Sequence, residues 1–103
     1  MSVRHVVCWK LAATAPSERA AQAQMIKTEL EALRARVPGL LEIEVGIDVG
    51  GGQGHYDVVL VSLFADAEAL ADYQTSALHA QAGRRFAGAI SARVAVDYNV
   101  QEG

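Results

Sequence analysis

Val3-Arg4-His5-Val6-Val7-Cys8-Trp9-Lys10-Leu11 is the informative run of this chain. On an extended backbone successive side chains alternate sides, so Val3, His5, Val7, Trp9 and Leu11 share one face. Four of these five are apolar, which predicts a half-buried strand that turns one histidine toward the core. A polar group so placed must find a partner or serve a purpose.

A second run, Leu41-Glu42-Ile43-Glu44-Val45-Gly46-Ile47-Asp48-Val49, alternates as cleanly and predicts another half-buried strand. Between the two, Ala12 to Pro16 reads as a loop and Ser17 as the N-cap of a helix beginning at Glu18. Ala23, Ile26, Leu30, Leu33 and Val37 then recur at helical spacing. Lys27 and Glu31, four apart, are placed to pair on the opposite side, and Pro38-Gly39 is expected to stop the helix.

Gly50-Gly51-Gly52-Gln53-Gly54 invites a phosphate-loop reading. However, it joins a strand to a strand (Tyr56 to Phe64) rather than to a helix, and no Lys-Ser/Thr pair follows. A flexible hairpin loop is the better reading. Asp66 caps a second helical region carrying Leu70 and Tyr73. A break near Ser76-Ala77 separates it from a further helix, His79 to about Ser91, whose stripe is His79, Ala82, Phe86 and Ile90. Ala92 to Val100 alternates again as the last strand. The order strand, helix, strand, strand, helix, strand predicts a single α+β domain over residues 1–103. Its expected form is a ferredoxin-like βαββαβ sandwich with a four-stranded antiparallel sheet.

Composition narrows the function. The net charge is −3 with both signs dispersed, so no basic cluster offers itself to a phosphate backbone and nucleic acid is not an expected partner. The longest uncharged apolar run, Val58 to Ala65, is too short to span a bilayer, and no membrane partner is expected. Cys8, the single cysteine, forms no internal disulfide, consistent with a reducing, cytoplasmic setting. It reads as a small packing residue.

The face of the sheet away from the helices is expected to carry Arg4, Lys10, Glu42, Glu44, Asp48, Asp57, Arg93, Asp97 and Asn99. Mixed with them are Val6, Cys8, Val59, Val61, Leu63 and Ala95. Its apolar centre predicts a homodimer in which two sheets meet face to face.

Several stretches together resemble the stress-responsive A/B barrel domain family, often called Dabb. They are Arg4-His5-Val6-Val7, Val37-Pro38-Gly39-Leu40, Tyr56-Asp57-Val58-Val59-Leu60, Tyr73 with His79, and Val94-Ala95-Val96-Asp97-Tyr98. The resemblance implies ferredoxin-like monomers joined as a dimeric α/β barrel. The family includes stress proteins and a plant polyketide cyclase, in which a His and a Tyr act on a substrate held between sheet and helices. Those two positions look like His79 and Tyr73, and His5 matches a pocket histidine. Many members have His-Pro before the second histidine, where this chain reads Ser76-Ala77-Leu78-His79.

Six residues apart on one straight helix, Tyr73 and His79 would be about 240° out of phase and could not converge. They meet only if the chain bends near Ser76-Ala77. His79 is then the expected base and Tyr73 the expected hydrogen-bond donor, in a pocket with His5, Trp9 and Phe86 as ligand contacts. A small, partly apolar molecule is the expected ligand, and such chemistry requires no cofactor. A metal site from His5, His55 and His79 is not expected, because His55 lies beside the glycine loop and no carboxylate stands at ligand spacing. The contrasting expectation is a non-catalytic stress or scaffold protein whose polar trio satisfies itself in a filled core.

Overall fold

In the computed structural model, which describes residues 1–101, the elements are β1 (Val3–Leu11), α1 (Pro16–Glu31), β2 (Leu40–Ile47) and β3 (Val58–Phe64). They are followed by α2 (Ala67–Gln74), α3 (Ala77–Phe86) and β4 (Ile90–Asn99). The four strands form one antiparallel sheet in the order β2-β3-β1-β4. This is the ferredoxin-like arrangement, with the helical region after β3 divided in two. The inner face of the sheet contributes Val7, Trp9, Val45, Leu60 and Phe64 to a core closed by Ala23, Ile26 and Leu30 of α1 and by Leu70 and Tyr73 of α2.

Helix α1 differs from expectation at both ends. Its N-cap is Ala15, which makes no side-chain capping bond, and Pro16 occupies the first turn while Ser17 lies inside the helix. Proline costs nothing there, since its missing N–H would have had no helical partner and its φ is already helical. The preceding loop is tied back instead by Arg19, which donates to the Ala13 carbonyl at 2.9 Å, and by Gln22, which accepts from the Ala13 N–H at 3.1 Å. The helix also stops at Glu31, well before Pro38-Gly39. Leu33 and Val37 remain buried, but from irregular turns that include Ala35 at φ 67°. Gly39 (φ 81°) is required as glycine, because a Cβ there would lie 2.5 Å from the Cβ of Ala69.

Lys27 and Glu31 do pair, at 2.9 Å, but their role is larger than that of a surface ion pair. Lys27 Nζ donates to the Val45 carbonyl at 2.7 Å, and Glu31 Oε2 accepts from the Val45 N–H at 3.1 Å. Arg34 donates to the Ile43 carbonyl at 2.7 Å. Strand β2 is a sheet edge, and these side chains occupy the backbone groups it would otherwise present to another strand. The Lys27 ammonium, followed by the Val45 N–H, holds the Glu31 carboxyl below its ordinary pKa.

The last strand corrects the expected sheet faces. Pairing of β1 with β4 sets His5 opposite Asp97, Trp9 opposite Arg93, Val7 opposite Ala95 and Val3 opposite Asn99. Arg93, Ala95, Asp97 and Asn99 therefore lie on the helix side, and Val94, Val96 and Tyr98 join Val6 and Cys8 on the outer face. Alternation tells which residues share a face but not which face meets the helices. Here α1 lies over β1 and β2 and α2 over β1 and β3, leaving the inner side of β4 uncovered enough to hold charge. Two more residues expected on the outer face are engaged elsewhere. Asp57 accepts from Arg19 and from the Leu11 N–H, while Asp48 accepts from the Gly51 N–H and contacts His55. The expected His79–Ser91 helix likewise ends at Phe86, and Ile90 already belongs to β4.

Replacing Glu31 with Ala leaves the Val45 N–H without its partner and should cost about 1–2 kcal/mol in urea denaturation at pH 7. Because the folded state holds the Glu31 carboxyl below 4.5, this stabilisation is full above that pH and fades as pH falls through the folded value. Equal denaturation midpoints for parent and variant at pH 7 would show that the β2 edge does not depend on it.

Candidate functional site

The bend between α2 and α3 is built by one hydroxyl. Ser76 Oγ donates to the Tyr73 carbonyl at 2.6 Å and accepts from the His79 N–H at 3.3 Å, so it closes one helix and caps the next. A new helix axis begins at Ala77, which removes the phase problem. The Tyr73 and His79 rings meet edge-to-face, with centroids 5.1 Å apart at 89°. Behind them Tyr73 stacks on Phe64 at 5.7 Å.

These rings wall a cavity of about 280 Å³ between α3 and the β1–β4 side of the sheet. His5, Trp9, Tyr73, His79 and Phe86 all line it, together with Val7, Leu60, Ala82, Ile90 and Arg93. Its volume lies just below the range of about 300–1,000 Å³ usual for small-molecule sites. Trp9 meets Phe86 edge-to-face at 6.3 Å, so the two are core residues and cavity wall together. A larger cleft of about 440 Å³ lies across Tyr73, between Pro38 and Leu78. It holds no imidazole, and its Asp66 and Ser76 are already committed as helix caps.

The polar groups of the smaller cavity fall into two sets. His5, only 3% exposed, is satisfied: its Nδ1 lies 2.5 Å from Asp97 Oδ1. His79 and Tyr73 lack a protein partner, and no buried side-chain nitrogen or oxygen among the described residues is left unpaired, so their polar atoms are open to solvent. Among the described residues neither ring nitrogen of His79 and no group at the Tyr73 hydroxyl makes a protein hydrogen bond. Burial, reinforced by the positive field of Arg93 and then by His5, lowers the His79 pKa from 6.5. At neutral pH it is an uncharged imidazole with a free lone pair. Burial raises the Tyr73 pKa, so its phenol stays protonated and able to donate.

Two lining or supporting residues, Arg93 and Asp97, were misplaced by sequence reasoning, which put them on the outer face. The available signal was the apolar side of β4: Val94, Val96 and Tyr98 complete the hydrophobic outer face more naturally than they fill a core. His55 stands apart from this cavity, beside the glycine loop with Asp48 at 3.1 Å. Among the described residues no group of three or more His, Cys, Asp or Glu side chains converges as metal ligands, and no helix is long and apolar enough to cross a membrane.

Fold and cavity together define a ferredoxin-like α+β domain with a small, mainly apolar chamber under a broken helix. The chain belongs to the stress responsive A/B barrel domain (Dabb) family, whose model matches residues 3–100. A dimeric protein of unknown function and ferredoxin-like fold from Bacteroides fragilis is 29% identical, with TM-score 0.86 over 96% of both chains. A dimeric ferredoxin-like protein of unknown function from Thermobifida fusca is 27% identical, with TM-score 0.80 over 97% of this chain and 92% of that one. The hydroxynitrile lyase from Passiflora edulis shares the fold at 18% identity, with TM-score 0.75 over 99% of this chain and 95% of that one. No curated protein matches this chain.

Replacing Ser76 with Ala removes both bonds at the bend and should cost about 1 kcal/mol of stability. It should also move the His79 pKa, followed by imidazole NMR, back toward 6.5 as α3 loosens. A variant unchanged in both would show that the bend is set by packing alone.

Proposed function

We propose that this protein binds a small, partly apolar carbonyl compound in the 280 Å³ cavity and acts on it by acid–base chemistry, as a homodimer. The observation that carries the reading is the pair of groups without protein partners whose rings meet edge-to-face at the cavity: an imidazole kept neutral and a phenol kept protonated. A filled core with a self-satisfied polar trio would show neither the space nor the free ring nitrogens.

In this reading His79 removes a proton from the carbon next to the carbonyl. The C–H electron pair becomes the enolate double bond, and the carbonyl π pair moves onto oxygen, where the Tyr73 hydroxyl donates a hydrogen bond. The imidazolium then returns the proton to the same carbon, or to a new one after rearrangement. His5, held by Asp97, supports the floor of the cavity. The hydroxynitrile lyase from Passiflora edulis shares this scaffold, although fold alone does not transfer an activity.

The outer face supports the dimer. Val96 and Tyr98 are 64% and 51% exposed there, beside Val94, Val6, Val59, Val61 and Leu63. The Arg4–Glu42 pair lies at its margin. An apolar centre with a charged rim is the anatomy of a two-fold interface, and the Bacteroides and Thermobifida proteins are described as dimeric.

Solvent deuterium exchange into the benzylic position of phenylacetone, followed by NMR, tests the chemistry. The rate should rise with pH through the His79 pKa, which lies below 6.5, and then level off. His79→Ala should lose about 10²-fold or more, and Tyr73→Phe a smaller share. Exchange undiminished in His79→Ala would overturn the reading. In sedimentation the parent should run at twice the 10.9 kDa chain mass and Val96→Asp as the single chain. A parent that stays single at micromolar concentration would remove the dimer.

A further inference from the structure

The floor of the cavity is polarised. Along the β1–β4 pairing, Trp9 stands opposite Arg93 at one end and His5 opposite Asp97 at the other, with Val7 and Ala95 between them. Arg93 and Asp97 are four residues apart on one strand face, or about 13 Å. Asp97 therefore does not neutralise Arg93, and it is already engaged by His5 at 2.5 Å. Arg4, Arg19 and Arg85 each pair with a carboxylate. Among the described residues none pairs with Arg93, which shares this state with Arg34 (bound only to the Ile43 carbonyl), Arg36 and Arg84 but alone of the four lines the cavity. A guanidinium at the edge of an apolar chamber presents a planar donor fork matched to a carboxylate.

We infer that the ligand of this cavity carries a carboxylate, bound by Arg93, at one end of an apolar body whose carbonyl reaches His79 and Tyr73. The substrate class is thus a small keto acid rather than a neutral ketone. This rests on the cavity being the ligand site, and it adds an anchor that the acid–base reading does not need. Arg93 is a binding and specificity residue: it orients the molecule along the floor, with the apolar body against Trp9 and Phe86. The direct cost of the arrangement is a cation beside a base whose pKa burial already lowers, with Arg93 and then His5 adding to that effect.

Phenylpyruvate and its methyl ester have the same body and carbonyl and differ in the charge. Titrated into the protein while the His79 imidazole and the Trp9 indole are watched by NMR, the acid should bind about tenfold more tightly than the ester. Arg93→Gln should abolish that preference and leave the ester unaffected, Arg93→Lys should keep part of it, and Arg36→Gln should keep all of it. Arg93 is exposed on an edge strand, so these variants should fold. Equal binding of acid and ester to the parent, or a preference that survives Arg93→Gln, would overturn the inference while leaving the cavity reading intact. If neither compound perturbs His79 or Trp9, the cavity reading fails and the anchor fails with it.

Discussion

The antiparallel pairing of the first strand with the last is the constraint on which the site depends. It places Asp97 beside His5, a side chain so deeply buried that without a partner its ring nitrogens would cost about 1–3 kcal/mol. The same pairing makes β4 an edge strand that the helices leave partly uncovered. Its inner side can then carry Arg93 and Asp97, which a closed helix–sheet interface would exclude. A core that simply filled this corner would have no room for a ligand. The chamber exists because the helix layer stops short of the last strand.

Much of the architecture was legible in the chain itself. Alternation over Val3–Leu11 and the second run marks two strands to within a few residues, and the phase of Tyr73 and His79 on one straight helix makes a bend near Ser76-Ala77 the condition for their meeting, without showing that it forms. Asp66 was readable as a cap because its carboxylate has an obvious backbone donor to meet at Ala69. The start of α1 was not, because proline at the first turn does the work expected of the serine that follows it. Its end was misread because Leu33 and Val37 keep the apolar spacing in irregular turns, and burial follows spacing whether or not the hydrogen-bond ladder continues.

The misassigned faces of β4 have a different origin. Period-two patterning is symmetric under exchange of the two faces, so its orientation must come from outside the strand. The natural assumption is that the apolar side meets the helices. In a sheet whose outer face is itself apolar, that assumption fails first at the edge, where helix cover is thinnest. Once Val94, Val96 and Tyr98 face outward the hydrophobic outer surface becomes continuous from β3 through β1 to β4. The charged residues of β4 turn inward as a consequence.

The resulting electrostatics explain why the cavity holds two histidines in different states. His5 faces a carboxylate that is half open to solvent. His79 faces no carboxylate and feels burial first, then Arg93, then His5. Every perturbation on it favours the uncharged ring, which is the form that can accept a proton, yet the same forces oppose the imidazolium that acceptance creates. An anion seated on Arg93 would oppose one of those forces and make the proton transfer less uphill. A negatively charged guest would thus itself supply part of the field that lets the ring take up charge, and so couple base strength to binding.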